Sequence, residues 1–282
     1  MENKKEYIKV TDSFLTKEKF FLFLEKDNEM LTTFPKPKKE DLPRYYQAKD
    51  YISHKNSSSN FFQWIYFVSK KIMIKKKARM ILKIAKGSSK IVDVGSGVGD
   101  FLIAFQKKGW LTTGIEPNTR ARNIAKKQKV HHANSLKELK GTKQDLITFW
   151  HSLEHVYLLE QTLLEAKEAL RDKGFLIVAC PNYKSWDAKY YGSKWAAWDV
   201  PRHLQHFSPN SLSLLLGPLG FVQKSKSPLL LDALYVSILS EKQQKSWFAF
   251  FKGVFFGTIS NLIGLFTDNF SSHIYIFQKK EK

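Results

Sequence analysis

The chain is poor in cysteine and in acid. Its 282 residues include one cysteine, Cys180, so no disulfide can close within it. With no cysteine before residue 180, an N-terminal cysteine-ligated zinc site is excluded. Cys180 ends an apolar run and reads as a buried thiol in a reducing compartment. Asp and Glu number 26 against 46 Lys and Arg, a formal net charge of +20. From Tyr51 to Val92 there is no acidic residue at all, against ten basic ones. Such a stretch suits an anionic partner, nucleic acid or a membrane surface, or a plain solvated helix face. No nucleic-acid motif accompanies the charge, so nucleic acid is not expected as a partner. Long apolar runs are missing too. In the phenylalanine-rich region 226–270 the longest charge-free run, Gly253–Thr267, has 15 residues, short of the roughly 20 a spanning helix needs. That region reads as a helical lid, a dimer contact or an interfacial hairpin. Met1–Glu6 is charged and no apolar leader core follows. The expected location is cytoplasmic, with peripheral contact at the inner membrane surface left open.

What is present begins with Val92-Asp93-Val94-Gly95-Ser96-Gly97-Val98-Gly99-Asp100. Ile91, Val92 and Val94 suit a parallel strand covered on both faces. Glycines at alternate positions let the backbone turn sharply beside a ligand, and Phe101, Leu102, Ala104 and Phe105 give the apolar face of a following helix. A ligand here would meet backbone N–H groups at a helix N-terminus. The third glycine comes too early for the dinucleotide fingerprint, whose third glycine falls where Asp100 stands. Trp110 to Glu116 reads as a second strand ending in a carboxylate, 21 residues after Gly95, a spacing suited to accepting hydrogen bonds from a ribose diol. Asn118 is a candidate helix N-cap. Strands are predicted at 90–94, 111–116, 129–132, 145–150 and 174–180, with helices between them, and a long helix over about 61–85. This alternation implies a parallel α/β sheet whose ligand cleft lies beyond the carboxyl ends of the strands.

With Asp93 before the glycines, Glu116 ending the second strand, His151-Ser152-Leu153-Glu154-His155-Val156 after the fourth, and Pro181-Asn182 after the fifth, the chain resembles class I S-adenosylmethionine-dependent methyltransferases. It is most similar to the ubiquinone- and menaquinone-biosynthesis group. The segment Asp199-Val200-Pro201-Arg202-His203-Leu204-Gln205-His206-Phe207-Ser208 resembles a hallmark of that group. The resemblance covers about residues 88–225. It implies a Rossmann-like seven-stranded sheet with helices on both faces, S-adenosylmethionine as cofactor and S-adenosylhomocysteine as its product. By this resemblance the cofactor residues are Asp93, Gly95, Ser96, Gly97, Gly99, Phe101, Glu116, Pro117, Ser135, Leu136, Trp150 and His151. The acidic residue usual at the adenine is missing beside Ser135. Relatives carry a zinc ribbon at the N-terminus. Here Glu25-Lys26-Asp27-Asn28 stands where a cysteine pair would, so residues 1–60 are expected to be a degenerate ribbon-like extension without metal. The core with its first helix then spans 61–225, including a 181–207 substrate loop; a lid spans 226–270, and a last strand and basic tail 271–282.

Methyl transfer needs a held nucleophile and a group to take its proton. His155, His203 and His206 are the candidate bases, and Arg202 could hold an anionic substrate group. Trp186, Tyr190, Tyr191, Trp195 and Trp198 would line the acceptor site. Tyr45, Tyr46, Tyr51 and His54 would flank a cover over the cofactor. His151-x-x-Glu154-His155 also matches the inverted zinc-protease pattern, but its place at a strand end argues against that. A divalent ion held by Glu154 and His155 is a further alternative. The function expected is methyl transfer to a small or lipid-linked acceptor, on oxygen ahead of nitrogen or carbon. The alternative is a non-catalytic basic scaffold on membrane or RNA, against which the intact Asp93, glycines and Glu116 argue.

Overall fold

A computed structural model describes residues 4–46, 60–85, 87 and 89–281. Tyr51, His54 and most of the Ser/Asn loop after them lie outside the described residues. The large sheet has seven strands: β4 (Lys90–Val94), β5 (Leu111–Ile115), β6 (His131–His132), β7 (Gln144–Trp150), β8 (Leu170–Pro181), β10 (Phe221–Pro228) and β11 (Ser272–Lys279). Their order is β10-β11-β8-β7-β4-β5-β6. β4 lies parallel to both β5 and β7, with Val92 opposite Thr113 on one side and Ile147 on the other. Fully buried Ile91, Val92, Leu146 and Ile147 explain why these strands read as continuous apolar runs. The expected α/β fold and strand positions are therefore found.

The helices are α1 (Asn60–Ile84), α2 (Asp100–Gln106), α3 (Thr119–Lys127), α4 (Leu159–Ala169), α5 (Trp186–Tyr191), α6 (Ser211–Leu216), α7 (Leu230–Gln243) and α8 (Ala249–Thr267). Asn118 caps α3, accepting from the Ala121 amide at 3.1 Å. Ahead of α6 the Ser208 hydroxyl accepts from the Asn210 and Ser211 amides, each at 3.2 Å. α8 runs 19 residues, longer than the charge-free run read from the sequence, and by length and composition alone it could cross a membrane.

The chain forms two compact units that do not follow its linear order. One gathers residues from 1–51, 151–159 and 178–276; the other gathers 52–150, 160–177 and 277–282. Within the first, β1 (Lys4–Thr11), β2 (Lys19–Glu25) and β3 (Met30–Phe34) form an antiparallel meander. This meander is the expected extension of residues 1–60. The addition is a fourth strand, β9 (Gln205–His206), pairing His206 with Leu31. Asp12 organises the β1–β2 turn, its carboxylate accepting from the Phe14, Leu15 and Thr16 amides. Val10, Phe20, Leu22 and Leu31 pack with Tyr183, Tyr191, Trp195 and Trp198 into one core.

Candidate active site

The glycine turn follows β4 as expected. Gly95, Gly97 and Gly99 all hold positive φ (78°, 55° and 85°), a backbone that side chains disfavour. A Cβ on Gly99 would meet the Val130 side chain at 2.9 Å, whereas one on Gly97 would meet nothing within 4 Å. Gly97 is thus the glycine with an open side. The turn's amides are less free than the sequence suggests. Gly95 and Ser96 both donate to the Ile115 carbonyl, Gly99 to the Ser96 carbonyl, and Gly97 to Oε2 of Glu116 at 2.8 Å. The Asn118 amide holds the other Glu116 oxygen at 2.7 Å. The carboxylate is therefore preset at the end of β5, half-exposed, beside exposed Pro117.

Four of the expected cofactor residues have buried side chains: Asp93, Ser96, Phe101 and Leu136. Asp93 is buried and accepts from the Thr148 hydroxyl at 2.7 Å. Burial pushes its pKa up to about 7, against the opposing pull of Thr148 and the Lys77 charge. It ties β4 to β7. Ser96 is buried with its hydroxyl against Gly114, where a Cβ would approach to 2.6 Å, so only its backbone faces the turn. Phe101 belongs to the core, with its ring edge-on to Phe105 and Trp150. Leu136 is buried, leaving half-exposed Ser135 beside it. Trp150 keeps its place: its indole Nε1 is buried without a hydrogen-bond partner, and Lys77 Nζ lies 4.1 Å above its ring. Lys77 carried no sequence signal beyond its helix's basic face.

The histidines lie in the other unit. His151, with φ 51°, is held at both ring nitrogens: Nε2 is 3.0 Å from Asp232 and Nδ1 is 3.6 Å from Glu154. Burial alone would lower its pKa, but these two carboxylates raise it to about 10. It is an imidazolium locked between acids, which leaves no ring nitrogen for the cofactor. Asp232, 81 residues away in sequence, gave no signal of this. Glu154 is almost wholly buried, and neither of its oxygens has a hydrogen-bond partner. Burial pushes it up, yet His151 and the neighbouring imidazoles bring it down to about 2.

His155 Nδ1 is 3.0 Å from the Arg202 carbonyl, with Tyr46 Oη at 3.3 Å from the same nitrogen. A carbonyl can only accept, so Nδ1 carries a hydrogen. His203 is arranged alike, with Nδ1 2.9 Å from the Ala197 carbonyl. The two rings meet edge to face at 4.6 Å. Burial, with the His155 charge, drives His203 down to about 4, so it is neutral at pH 7. Glu154, His155 and His203 each bring one ligand atom within 4.8 Å of the others. The sequence offered only Glu154 and His155 for this; the fold adds His203. The charge of Glu154 is already balanced by the His151 imidazolium, so the cluster does not require a cation.

Two candidates turn out to be structural. Arg202 is buried, its guanidinium bonded to Asp199 Oδ1 at 2.8 Å, Asp12 Oδ1 at 3.1 Å and the Tyr45 carbonyl at 3.1 Å. Nothing remains for a substrate anion. His206 lies in β9, buried, with Nε2 3.1 Å from the Thr33 hydroxyl. Burial holds its pKa well below the ordinary value. The aromatic loop is also more interior than expected: Trp195 and Trp198 belong to the core, their indoles donating to Asp187 and the Gly192 carbonyl. What remains is a narrow slot lined by Glu154, Tyr183, Trp195, His203, His206 and Phe207.

Residues 65–224 match the family described as "Methyltransferase domain". No curated protein sequence matches the chain. Among solved structures, a SAM-dependent methyltransferase from Archaeoglobus fulgidus superposes with TM-score 0.50 at 19% identity, over 76% of this chain and 99% of that one. The magnesium protoporphyrin IX methyltransferase of Synechocystis, with bound SAH, gives TM-score 0.53 at 13% identity, over 86% and 94%. A putative sarcosine dimethylglycine methyltransferase from Galdieria sulphuraria gives 0.52 at 12%, over 76% and 86%. These likenesses are of fold. The family match spans more than half of the chain, which therefore belongs to the methyltransferase-domain family and is a class I S-adenosylmethionine-dependent methyltransferase. Its residues suit that cofactor: Glu116 is preset to receive a ribose diol, Gly97 has an open side, and Trp150 holds an unpartnered indole N–H.

Proposed function

We propose that the enzyme methylates a hydroxyl oxygen on a small or lipid-linked acceptor, with His155 taking the hydroxyl proton. The observation that carries this reading is the convergence of Glu154, His155 and His203, with neither Glu154 oxygen within hydrogen-bond distance of a donor and only the His151 imidazolium beside it at 3.6 Å. A buried carboxylate without donors is costly unless something donates to it. An acceptor hydroxyl is a donor of the right kind. Bound S-adenosylmethionine supplies the electrophilic methyl group. The chain's part is to hold the acceptor oxygen, exclude water from it and receive its proton. His155 suits the last task, with Nδ1 engaged by the Arg202 carbonyl and Nε2 left as the ring nitrogen to face an acceptor. The slot beside the cluster is closed, without room for a water molecule, so an acceptor would have to part Tyr183, Trp195 and Phe207 to reach Glu154.

The test is to incubate the protein with methyl-labelled S-adenosylmethionine and cell extract split into aqueous and lipid phases, then to identify the labelled product by mass spectrometry. A methyl ether supports the reading, and a methyl ester, formed on a carboxylate with no hydroxyl proton to remove, overturns it. Label found only on nitrogen or carbon overturns the oxygen assignment.

A further inference from the structure

α7 and α8 form a hairpin with one closed side and one open side. On α8, Gly253, Gly257, Ser260 and Gly264 recur every three or four residues and form one stripe. All four are buried. A Cβ on Gly253 would lie 2.4 Å from Ile238 Cα, and one on Gly257 2.6 Å from the Ala233 carbonyl oxygen. The two backbones touch along this stripe, so every large side chain of α8 must point elsewhere. Phe251, Phe255, Leu262, Leu265 and Phe266 are exposed, Phe266 by 90%. The connection adds Trp247 at 84% and Phe248 at 72%. Half of the exposed large apolar side chains among the described residues fall between 230 and 266. Soluble surfaces rarely leave so contiguous an apolar patch uncovered.

The charge around this patch has one sign. From residue 242 to residue 267 there is no Asp or Glu, and Lys242, Lys245 and Lys252 frame the Trp247–Phe248 tip. All three lysines are exposed. Aromatic and apolar side chains ringed by lysine, on a chain of net charge +20, complement an anionic bilayer surface. A second copy of the same basic patch would meet it with like charge. Crossing the bilayer is opposed by α7, which carries Asp232, Glu241 and Lys242 along the face-sharing partner helix.

We propose that the α7–α8 hairpin is a monotopic membrane anchor that lies in the headgroup region of an anionic bilayer. Its phenylalanine face enters the acyl layer and Lys242, Lys245 and Lys252 meet lipid phosphates. This deepens the lipid-linked reading of the acceptor, but the surface is separate from the slot, so vesicle binding can succeed or fail independently of turnover.

The full-length protein should co-sediment with vesicles of phosphatidylcholine mixed with phosphatidylglycerol, and less with phosphatidylcholine alone or at high salt. Phe251→Ser, Phe255→Ser and Phe266→Ser combined, all at exposed positions, should weaken partitioning about tenfold or more without changing cofactor affinity. Lys242→Gln, Lys245→Gln and Lys252→Gln combined should remove the preference for anionic lipid. Brominated acyl chains should quench tryptophan emission, and Trp247→Ser should remove most of that quenching. Wild-type protein left in the supernatant overturns the proposal. So does sedimentation equilibrium revealing a dimer that the phenylalanine substitutions abolish.

Discussion

The amide of Gly97 donates to Oε2 of Glu116 at 2.8 Å, which joins the two ends of the cofactor motif, the turn after β4 and the carboxylate after β5. The carboxylate thus has a role in shaping the turn as well as in reading a ribose. Glu116→Ala should weaken S-adenosylhomocysteine binding by roughly 2–4 kcal/mol, about 30- to 1,000-fold, by loss of charge-assisted hydrogen bonds and of the preset turn. Calorimetry on wild type and variant checks this. Unchanged affinity would remove Glu116 from the site.

Arg202 is a buried strut between Asp12 and Asp199, in contact with neither solvent nor the slot. Arg202→Met should leave the fully buried Asp12 carboxylate without its counter-charge, held only by the turn amides, and lower stability by about 3–5 kcal/mol, the usual cost of breaking one side of a buried pair. Urea denaturation measures it. A loss below about 1 kcal/mol would mean that Arg202 is not structural.

Asp93 gives stability a pH dependence of predictable sign. Its pKa rises from 3.8 to about 7 on folding because it is buried. The folded state therefore holds a proton that the unfolded chain releases, and stability is lost as pH climbs from about 4 through about 7. Asp93→Asn removes this slope. Its stability relative to wild type should improve on the order of 2–4 kcal/mol over that interval and level off above it. Parallel pH profiles of the two proteins would contradict the assignment.

The histidine cluster should carry no stoichiometric zinc. Glu154 has the His151 imidazolium beside it, and burial with the Glu154 charge holds the thiol of Cys180 well above its ordinary pKa, so it offers no thiolate to a structural site. Elemental analysis of protein purified without a histidine tag should return well under one equivalent. One tightly held equivalent, lost in His203→Ala, would reverse this reading.

The large sheet was legible because its strands announce themselves: buried apolar runs such as 145–150, each followed by a turn and a helix pattern. Glu116 and the glycines were legible for the same reason, since local spacing carries them. The catalytic side was not. His203 and His206 share one motif, yet the register of β9 against β3 turns His206 onto Thr33 while His203 meets His155. Arg202 resembled a substrate clamp until Asp12, 190 residues away, closed on it. Asp232 reaches His151 across 81 residues. Long-range pairings of this sort leave no local period in the sequence. The aromatic loop was misjudged because an apolar core and an apolar binding wall have the same composition.

The proposal that His155 is the proton acceptor is tested most directly by comparing His155→Ala with His206→Ala. His155→Ala should lower turnover of the identified acceptor by about 10²–10⁴-fold, with S-adenosylhomocysteine affinity unchanged. His206→Ala should act through stability, with turnover of the folded protein within a few-fold of wild type. Normal turnover by His155→Ala would contradict the account.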